Sequence, residues 1–135
     1  MEVQVEKKTT QQDKKIIVYD LIILQLENLF KDLRIIFPND IVLKVSMDNL
    51  KVIREDKVSI LNKFRDNLTL EIQNMISQKD EKLFDKSNKS LKNINFRRSS
   101  FVFARIRKMW ESLDENNKNV VWKYLQFLQK LFNAL

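Results

Sequence analysis

The sequence predicts an all-α protein, a helical bundle of about five helices, and three observations support this prediction. The 135 residues include no glycine and a single proline, and a chain without glycine has little use for tight hairpins or positive φ angles. Apolar residues recur at spacings of three and four, as in amphipathic helices. The segments between these stretches are polar, as expected for turns that join packed helices.

The first predicted helix extends from about residue 14 to residue 36, with Asp13 as its N-cap. Residues 1–12 show no apolar pattern and are predicted to form a mobile arm. A buried strand over residues 16–24 is the alternative. The helical spacing continues through the leucines and phenylalanine that follow, which favours the helix.

Most of the circumference of this first helix is apolar. Its polar residues fall on one narrow stripe, which consists of Asp20, Glu27, Lys31 and Arg34. Such a helix is typical of the middle of a bundle. Self-association is an open alternative, because so apolar a helix could leave surface that a dimer would cover.

Two further helices follow the segment Phe37-Pro38-Asn39-Asp40, where proline disfavours helical geometry in the residue before it. Asn39 or Asp40 caps the second helix, over about residues 40–53. The third is one amphipathic helix over about residues 56–77. Residues 78–95 are hydrophilic and are predicted to be a linker, with one short helical turn at Leu83-Phe84.

The last two predicted helices form a basic hairpin at the end of the chain. Ser99 or Ser100 caps the fourth helix, which ends near Ser112. The fifth helix extends to about Asn133, and either a capping box of Ser112 with Glu115 or the side chain of Asp114 begins it. Residues 13–135 are together predicted to form a single helical domain.

The composition excludes most familiar catalytic chemistry. The chain has no glycine, histidine or cysteine, so glycine-rich phosphate loops, histidine general bases, thiol nucleophiles and Cys or His zinc sites are excluded. The acidic pairs are adjacent in sequence and point apart on a helix. We interpret them as helix caps: Glu55-Asp56, Asp80-Glu81 and Asp114-Glu115. The sequence therefore predicts a protein that is not an enzyme, with no cofactor and no metal.

The positive charge is concentrated near the end of the chain. Residues 1–85 carry a net charge of −1 and residues 86–135 carry +8. The densest cluster interleaves cations with Phe96 and Phe101, and its candidate contact residues are Arg97, Arg98, Ser99, Arg105, Arg107 and Lys108. Cations, hydroxyls and helix amides bind phosphates, and aromatic rings stack on unpaired bases. A solvated face, or a surface for a protein partner, is the alternative.

Trp122 and Lys123 are the candidate contact residues on the last helix. Trp122 falls about 100° from the apolar arc of that helix, counting about 100° per residue. It either anchors a partner or closes a gap against a neighbouring helix, and we prefer the core position. Lys123 lies on the outer, polar face of the same helix.

The segment from Arg107 to Gln126 contains Trp110-Glu111-Ser112-Leu113 and Trp122-Lys123-Tyr124-Leu125, separated by an acidic-Asn-Lys turn. This pattern, which covers about 30 residues with its flanks, resembles a helical motif in uncharacterised proteins of large nucleocytoplasmic DNA viruses. The resemblance implies a small viral protein with a helix–turn–helix tail. It implies no activity and no functional residue.

These observations predict a non-enzymatic helical binding or scaffold module, either a virus-encoded protein-interaction factor or a component of the virion. A protein partner is preferred. The alternative is a nucleic-acid-binding protein that uses the basic segment from Arg97 to Lys108. The first residues lack a secretory signal and no stretch is long enough to span a membrane. We therefore expect an intracellular location, in the host cytoplasm or in the virion, and homo-oligomerisation stays open.

Overall fold

Helices account for most of the residues described by the computed structural model, which are residues 11–85 and 101–135. In those two ranges there are six α-helices, two short 3₁₀ helices and no strand, so the all-α prediction is confirmed with six helices rather than five. The α-helices are α1 (Gln11–Ile36), α2 (Ile41–Glu55), α3 (Lys57–Asn67), α4 (Leu70–Ser77), α5 (Phe101–Met109) and α6 (Glu115–Asn133), and the 3₁₀ helices are Glu81–Phe84 and Trp110–Ser112.

Helix α1 includes three residues that the sequence did not assign to it. Gln11 and Gln12, which were predicted to belong to the arm, are already helical, and Asp13 lies in the first turn rather than at the N-cap. An acidic side chain in a first turn interacts favourably with the helix dipole, which explains why Asp13 suits a position inside the helix. The rest of the predicted arm, residues 1–10, lies outside the described residues.

The predicted third helix is two helices, because Leu68 and Thr69 are not helical and separate them. Thr69 has an extended backbone, and its hydroxyl accepts a hydrogen bond of 3.3 Å from the amide of Ile72. The side chain of Gln73 donates to the carbonyl of Leu68 at 3.0 Å. Threonine competes well for backbone hydrogen bonds at helix starts, so Thr69 begins α4 where the apolar spacing alone predicted an uninterrupted helix.

Helix α4 ends in a motif that normally uses glycine. Lys79 has a φ of 53°. The amide of Asp80 donates to the carbonyl of Met75 at 2.8 Å, and the amide of Lys79 donates to the carbonyl of Ile76 at 3.2 Å. These two bonds define a Schellman motif with a lysine at the left-handed position. A chain without glycine therefore still makes this cap.

We expect Lys79→Gly to raise the free energy of unfolding by about 0.5 to 1 kcal/mol, since glycine adopts positive φ without a clash at Cβ. The matched control is Lys63→Gly, at an exposed position inside α3, which should lower it by about 1 kcal/mol. Urea denaturation followed by far-UV circular dichroism measures both. A Lys79→Gly variant less stable than the parent protein would contradict the cap.

An aromatic cluster joins the predicted linker to the C-terminal helices. The predicted helical turn at Leu83-Phe84 is confirmed, but both side chains are buried, so residues 81–84 are part of the core rather than a solvated linker. The ring of Phe84 lies 4.6 Å from that of Trp110 and 5.4 Å from that of Trp122, measured between centroids. The ring centroid of Phe103 lies 6.5 Å from that of Phe84. Residues 86–95 of the predicted linker lie outside the described residues.

Asp114 begins α6. Its carboxylate accepts a hydrogen bond of 2.8 Å from the amide of Asn117, so of the two caps considered the Asp114 alternative is confirmed, and Ser112 lies in the preceding 3₁₀ helix. The predicted caps of α5, Ser99 and Ser100, lie outside the described residues.

Helix α1 packs against α2, α3 and α6. The phenol of Tyr124 on α6 donates to Asp32 near the end of α1 at 2.5 Å, and burial together with this bond and the carboxylate charge raises the pKa of Tyr124 to about 12. Nearer the start of α1, the phenol of Tyr19 donates to the side chain of Asn62 on α3. Phe64, two residues further along α3, stacks on Phe132 of α6 with ring centroids 5.0 Å apart. Because Tyr124 lies near the end of α1 and Phe132 near its start, α1 and α6 are antiparallel.

Candidate interaction surface

The basic segment is only partly within the described residues. Arg97, Arg98 and Ser99 lie outside them, so their role as contact residues stays a prediction. Arg105, Arg107 and Lys108 all lie on α5, and the structure places them in three different environments.

Arg105 holds two parts of the fold together. Its guanidinium donates to Oδ2 of Asp40 at 2.5 Å, and the two side chains are only 13% and 19% exposed. An ion pair so shielded from solvent leaves the charge of Arg105 already neutralised. The prediction that Arg105 contacts a partner or a phosphate is therefore wrong as a statement about a free cation, because this side chain links α5 to the start of α2.

Asp40 is also the N-cap of α2. Its Oδ1 accepts hydrogen bonds of 2.9 and 3.1 Å from the amides of Val42 and Leu43. Desolvation by burial acts to raise the pKa of Asp40, but the amide of Leu43, the hydrogen bond and charge of Arg105 and the amide of Val42 together outweigh it. The pKa is held below its ordinary value of 3.8. Of the two predicted caps of α2, Asn39 and Asp40, the structure confirms Asp40.

Arg107 and Lys108 differ from Arg105. The guanidinium of Arg107 donates to the carbonyl of Asp85 at 3.1 Å and the side chain is partly buried, whereas Lys108 is exposed. Lys123 is exposed too, on α6. Among the predicted contact residues that the structure describes, Lys108 and Lys123 are therefore the two that are exposed to solvent.

Trp122 belongs to the core and not to a contact surface. Only 3% of its surface is exposed, and its ring meets that of Trp110 edge-on with centroids 5.2 Å apart. The preferred core position therefore agrees with the structure, and the alternative of a partner anchor at Trp122 does not. The physical reason is the turn at Phe84: it covers the side of α6 that appears unpartnered when residues 78–95 are taken for a linker.

The acidic pairs occur at helix starts, as predicted. Asp80 caps the 3₁₀ helix Glu81–Phe84 with a hydrogen bond from the amide of Lys82, and Asp114 caps α6. Asp56 occupies the N-cap position of α3, but its side chain makes no capping hydrogen bond. Among residues 11–85 and 101–135, no three acidic side chains are grouped as a metal site would require. Nor is any helix in those ranges long and apolar enough to cross a bilayer.

The outer face of α1 is the surface that the sequence analysis did not identify as a site. Helix α1 buries one face and exposes large apolar side chains on the opposite one: Ile17 is 54% exposed, Leu21 38%, Leu24 46% and Ile35 78%. The expectation that α1 lies in the middle of the bundle is therefore wrong, because helices cover it on one side. The other interpretation, that α1 leaves apolar surface to be covered, agrees with these exposures.

Ion pairs flank this outer face on the side of α2 and α3. Lys57 of α3 lies 2.6 Å from Asp20, and Arg54 of α2 pairs with Glu27. On the other side is α6, where Phe127 is 43% exposed. Phe127 follows Tyr124 by one helical turn, and Tyr124 bonds to Asp32, so in the antiparallel pair Phe127 lies near the level of Asn28.

Comparison with known proteins gives no match to any protein family, curated protein or solved structure. The resemblance of residues 107–126 to a viral helical motif stays a prediction.

Proposed function

We propose that this chain is a non-catalytic protein-interaction module whose contact surface is the outer face of α1. The observation that supports this is the continuous stripe formed by Ile17, Leu21 and Leu24. Each is one turn from the next and each is more than a third exposed. Single exposed leucines are ordinary on soluble proteins, but adjoining ones mark interaction sites.

Burial energetics favour a partner on this stripe. Removing apolar surface from water contributes about 25 cal/mol per Å². The stripe is a rigid helix held by packing on its opposite face, so little conformational entropy is lost when a partner binds. The ion pairs Lys57–Asp20 and Arg54–Glu27 form a polar rim at one edge, and a polar rim around an apolar centre is the usual anatomy of an interface.

The available side chains support a binding role over a catalytic one. The chain has no histidine and no cysteine, which are the commonest general base and the most reactive thiol nucleophile. The carboxylates Asp40, Asp80 and Asp114 are engaged in capping helices.

Site-specific photo-crosslinking tests the proposal. A photoreactive leucine analogue at Leu24 is expected to form covalent protein adducts in an extract of cells that express the chain. The same analogue at Leu70, which is 74% exposed on α4, is the matched control and should form none. Adducts at position 24 should disappear when excess parent chain is added but persist with excess Leu21→Lys/Leu24→Lys chain. No adduct at position 24, or equal yields at both positions, would overturn the proposal.

A further inference from the structure

The outer face of α6 carries positive charge around an exposed aromatic ring. Lys123, Phe127 and Lys130 follow one another at intervals of four and three residues, so they lie on one face of the helix, and all three are exposed. After Glu115 the helix has no acidic residue. Lys118, the remaining lysine of α6, is held by Glu81 at 3.2 Å and is only 17% exposed, so its charge does not add to this face.

The contacts on either side of this face leave its two lysines free to pair with an anion. On one side α6 is joined to α1 through Tyr124, which donates to Asp32. On the other side Gln129 donates to the hydroxyl of Ser77 on α4 at 3.2 Å. Within residues 11–85 and 101–135, neither lysine forms an ion pair. The charge of this face is therefore complementary to an anionic partner.

We propose that this face binds a single-stranded nucleic acid, with one base stacked on Phe127 and the phosphates on either side of that base paired with Lys123 and Lys130. The inference goes beyond the proposed function, since it concerns another helix and another class of partner. Each base within a strand has a phosphate on both sides, and the two lysines lie about one helical turn before and after the ring. Lysines neutralise phosphates, and aromatic rings stack on unpaired bases.

The exposure of Phe127 favours a single strand over a duplex or a lipid surface. Its side chain is 43% exposed. The bases of a duplex are already stacked on each other, so a ring on the protein surface stacks on bases that are unpaired. A membrane-binding helix inserts a broad apolar face. The broad apolar face of α6, which includes Leu125 and Leu128, is buried in the core instead.

Fluorescence anisotropy with the purified full chain tests the proposal. The probe is a labelled oligothymidylate of about 16 nucleotides, the upper end of ordinary single-strand site sizes. We expect a dissociation constant of about 1 to 100 μM near physiological salt, as for other sequence-independent binding. Lys123→Glu/Lys130→Glu should weaken binding by about tenfold or more. It should also make the slope of log affinity against log salt about 1.4 less steep, since each phosphate contact on a single strand contributes about 0.7.

The matched control is Lys44→Glu/Lys51→Glu on α2. These two lysines are exposed and seven residues apart, as Lys123 and Lys130 are, and their replacement changes the net charge by the same amount. Because salt screens distant charges, this variant should bind within about threefold of the parent protein. Far-UV circular dichroism checks that both double variants retain the helical fold.

Replacing Phe127 tests the stacked base separately from the charge. Phe127→Ala should weaken binding by about fivefold or more, with the salt slope of the parent protein, because stacking on a ring is lost and no charge is removed. Phe127→Tyr retains the ring and should bind almost as the parent does. A duplex of the same length should bind more weakly than the single strand, and polyglutamate, which has negative charge but no bases, should compete poorly.

Each of these measurements has a result that rejects the inference. No binding at about 100 μM protein, or a loss in Lys123→Glu/Lys130→Glu no greater than in the α2 control, rejects this face as the binding site. Unchanged binding by Phe127→Ala, or a duplex bound as tightly as the single strand, rejects the stacked base. Polyglutamate that competes as well as the oligonucleotide rejects nucleic acid as the partner. The photo-adducts at Leu24 are measured independently, so failure here leaves the proposed function standing.

Discussion

Replacing Trp122 by alanine is expected to lower the free energy of unfolding by about 3 to 5 kcal/mol. The ring of Trp122 is 3% exposed and contacts those of Trp110 and Phe84. Truncation therefore removes buried apolar area, leaves a cavity and breaks two aromatic pairs, which contribute about 0.5 to 1.5 kcal/mol each beyond their area. Small domains are stable by only about 5 to 15 kcal/mol, so this is a large part of the total.

Urea denaturation followed by far-UV circular dichroism measures this loss. Trp122→Phe retains an aromatic ring and should cost clearly less, which keeps the test informative if the alanine variant does not fold. Lys123→Ala, at the exposed neighbouring position, is the control and should change stability by no more than about 0.5 kcal/mol. A loss below about 1 kcal/mol for Trp122→Ala would contradict the burial of this ring in the core.

The neighbour that covers Trp122 illustrates what the sequence could not predict. Apolar periodicity identifies the face of a helix that packs against its neighbours, and it located α1, α5 and α6 well. It cannot reveal that a short hydrophilic segment carries two core residues. Leu83 and Phe84 lie among charged residues, yet both are buried, and Phe84 completes the aromatic cluster. Once Phe84 is in place, the apparently unpartnered face of α6 is covered.

Helix α1 shows a second limit of prediction from the sequence. The polar stripe and the apolar content of α1 are evident in the sequence, but which apolar stripe faces the core depends on where α2, α3 and α6 pack. The structure resolves this: Ile22, Leu26 and Leu33 are buried while Ile17, Leu24 and Ile35 are exposed. Which apolar stripe of α1 is left exposed is known only after the buried one has been identified.

The environment of the basic segment depends on residues that are distant in sequence, and local patterns do not identify them. A cation at Arg105 and a carboxylate at Asp40 are 65 positions apart, and nothing in either local pattern predicts their pairing. Charge counting therefore assigned Arg105 to a basic surface. Lys108 of the same segment is exposed, and its role as a contact residue stays a prediction.

Asp40→Ala is expected to cost about 3 kcal/mol of stability, since it removes an N-cap worth about 1 kcal/mol and a hydrogen bond to a charged group worth about 1.5 to 3 kcal/mol. It also leaves the guanidinium of Arg105 without the carboxylate that neutralises it. Asp40→Asn retains an oxygen that can cap α2 but loses the charge, so it should cost less. Asp48→Ala, at an exposed position within α2, is the control and should change stability by no more than about 0.5 kcal/mol.

Acid should remove the same contribution from the parent protein. Because the pKa of Asp40 in the folded protein lies below its ordinary value of 3.8, the stabilisation is fully present above that value. It is lost as the pH falls from that value through the lower pKa of the folded protein. The difference in unfolding free energy between the parent and Asp40→Asn should therefore be constant from pH 7 to about pH 5 and shrink towards about pH 3. Urea titrations of both chains at each pH measure it. A difference as large at pH 3 as at pH 7 would show that the charge of Asp40 contributes nothing to joining α2 and α5.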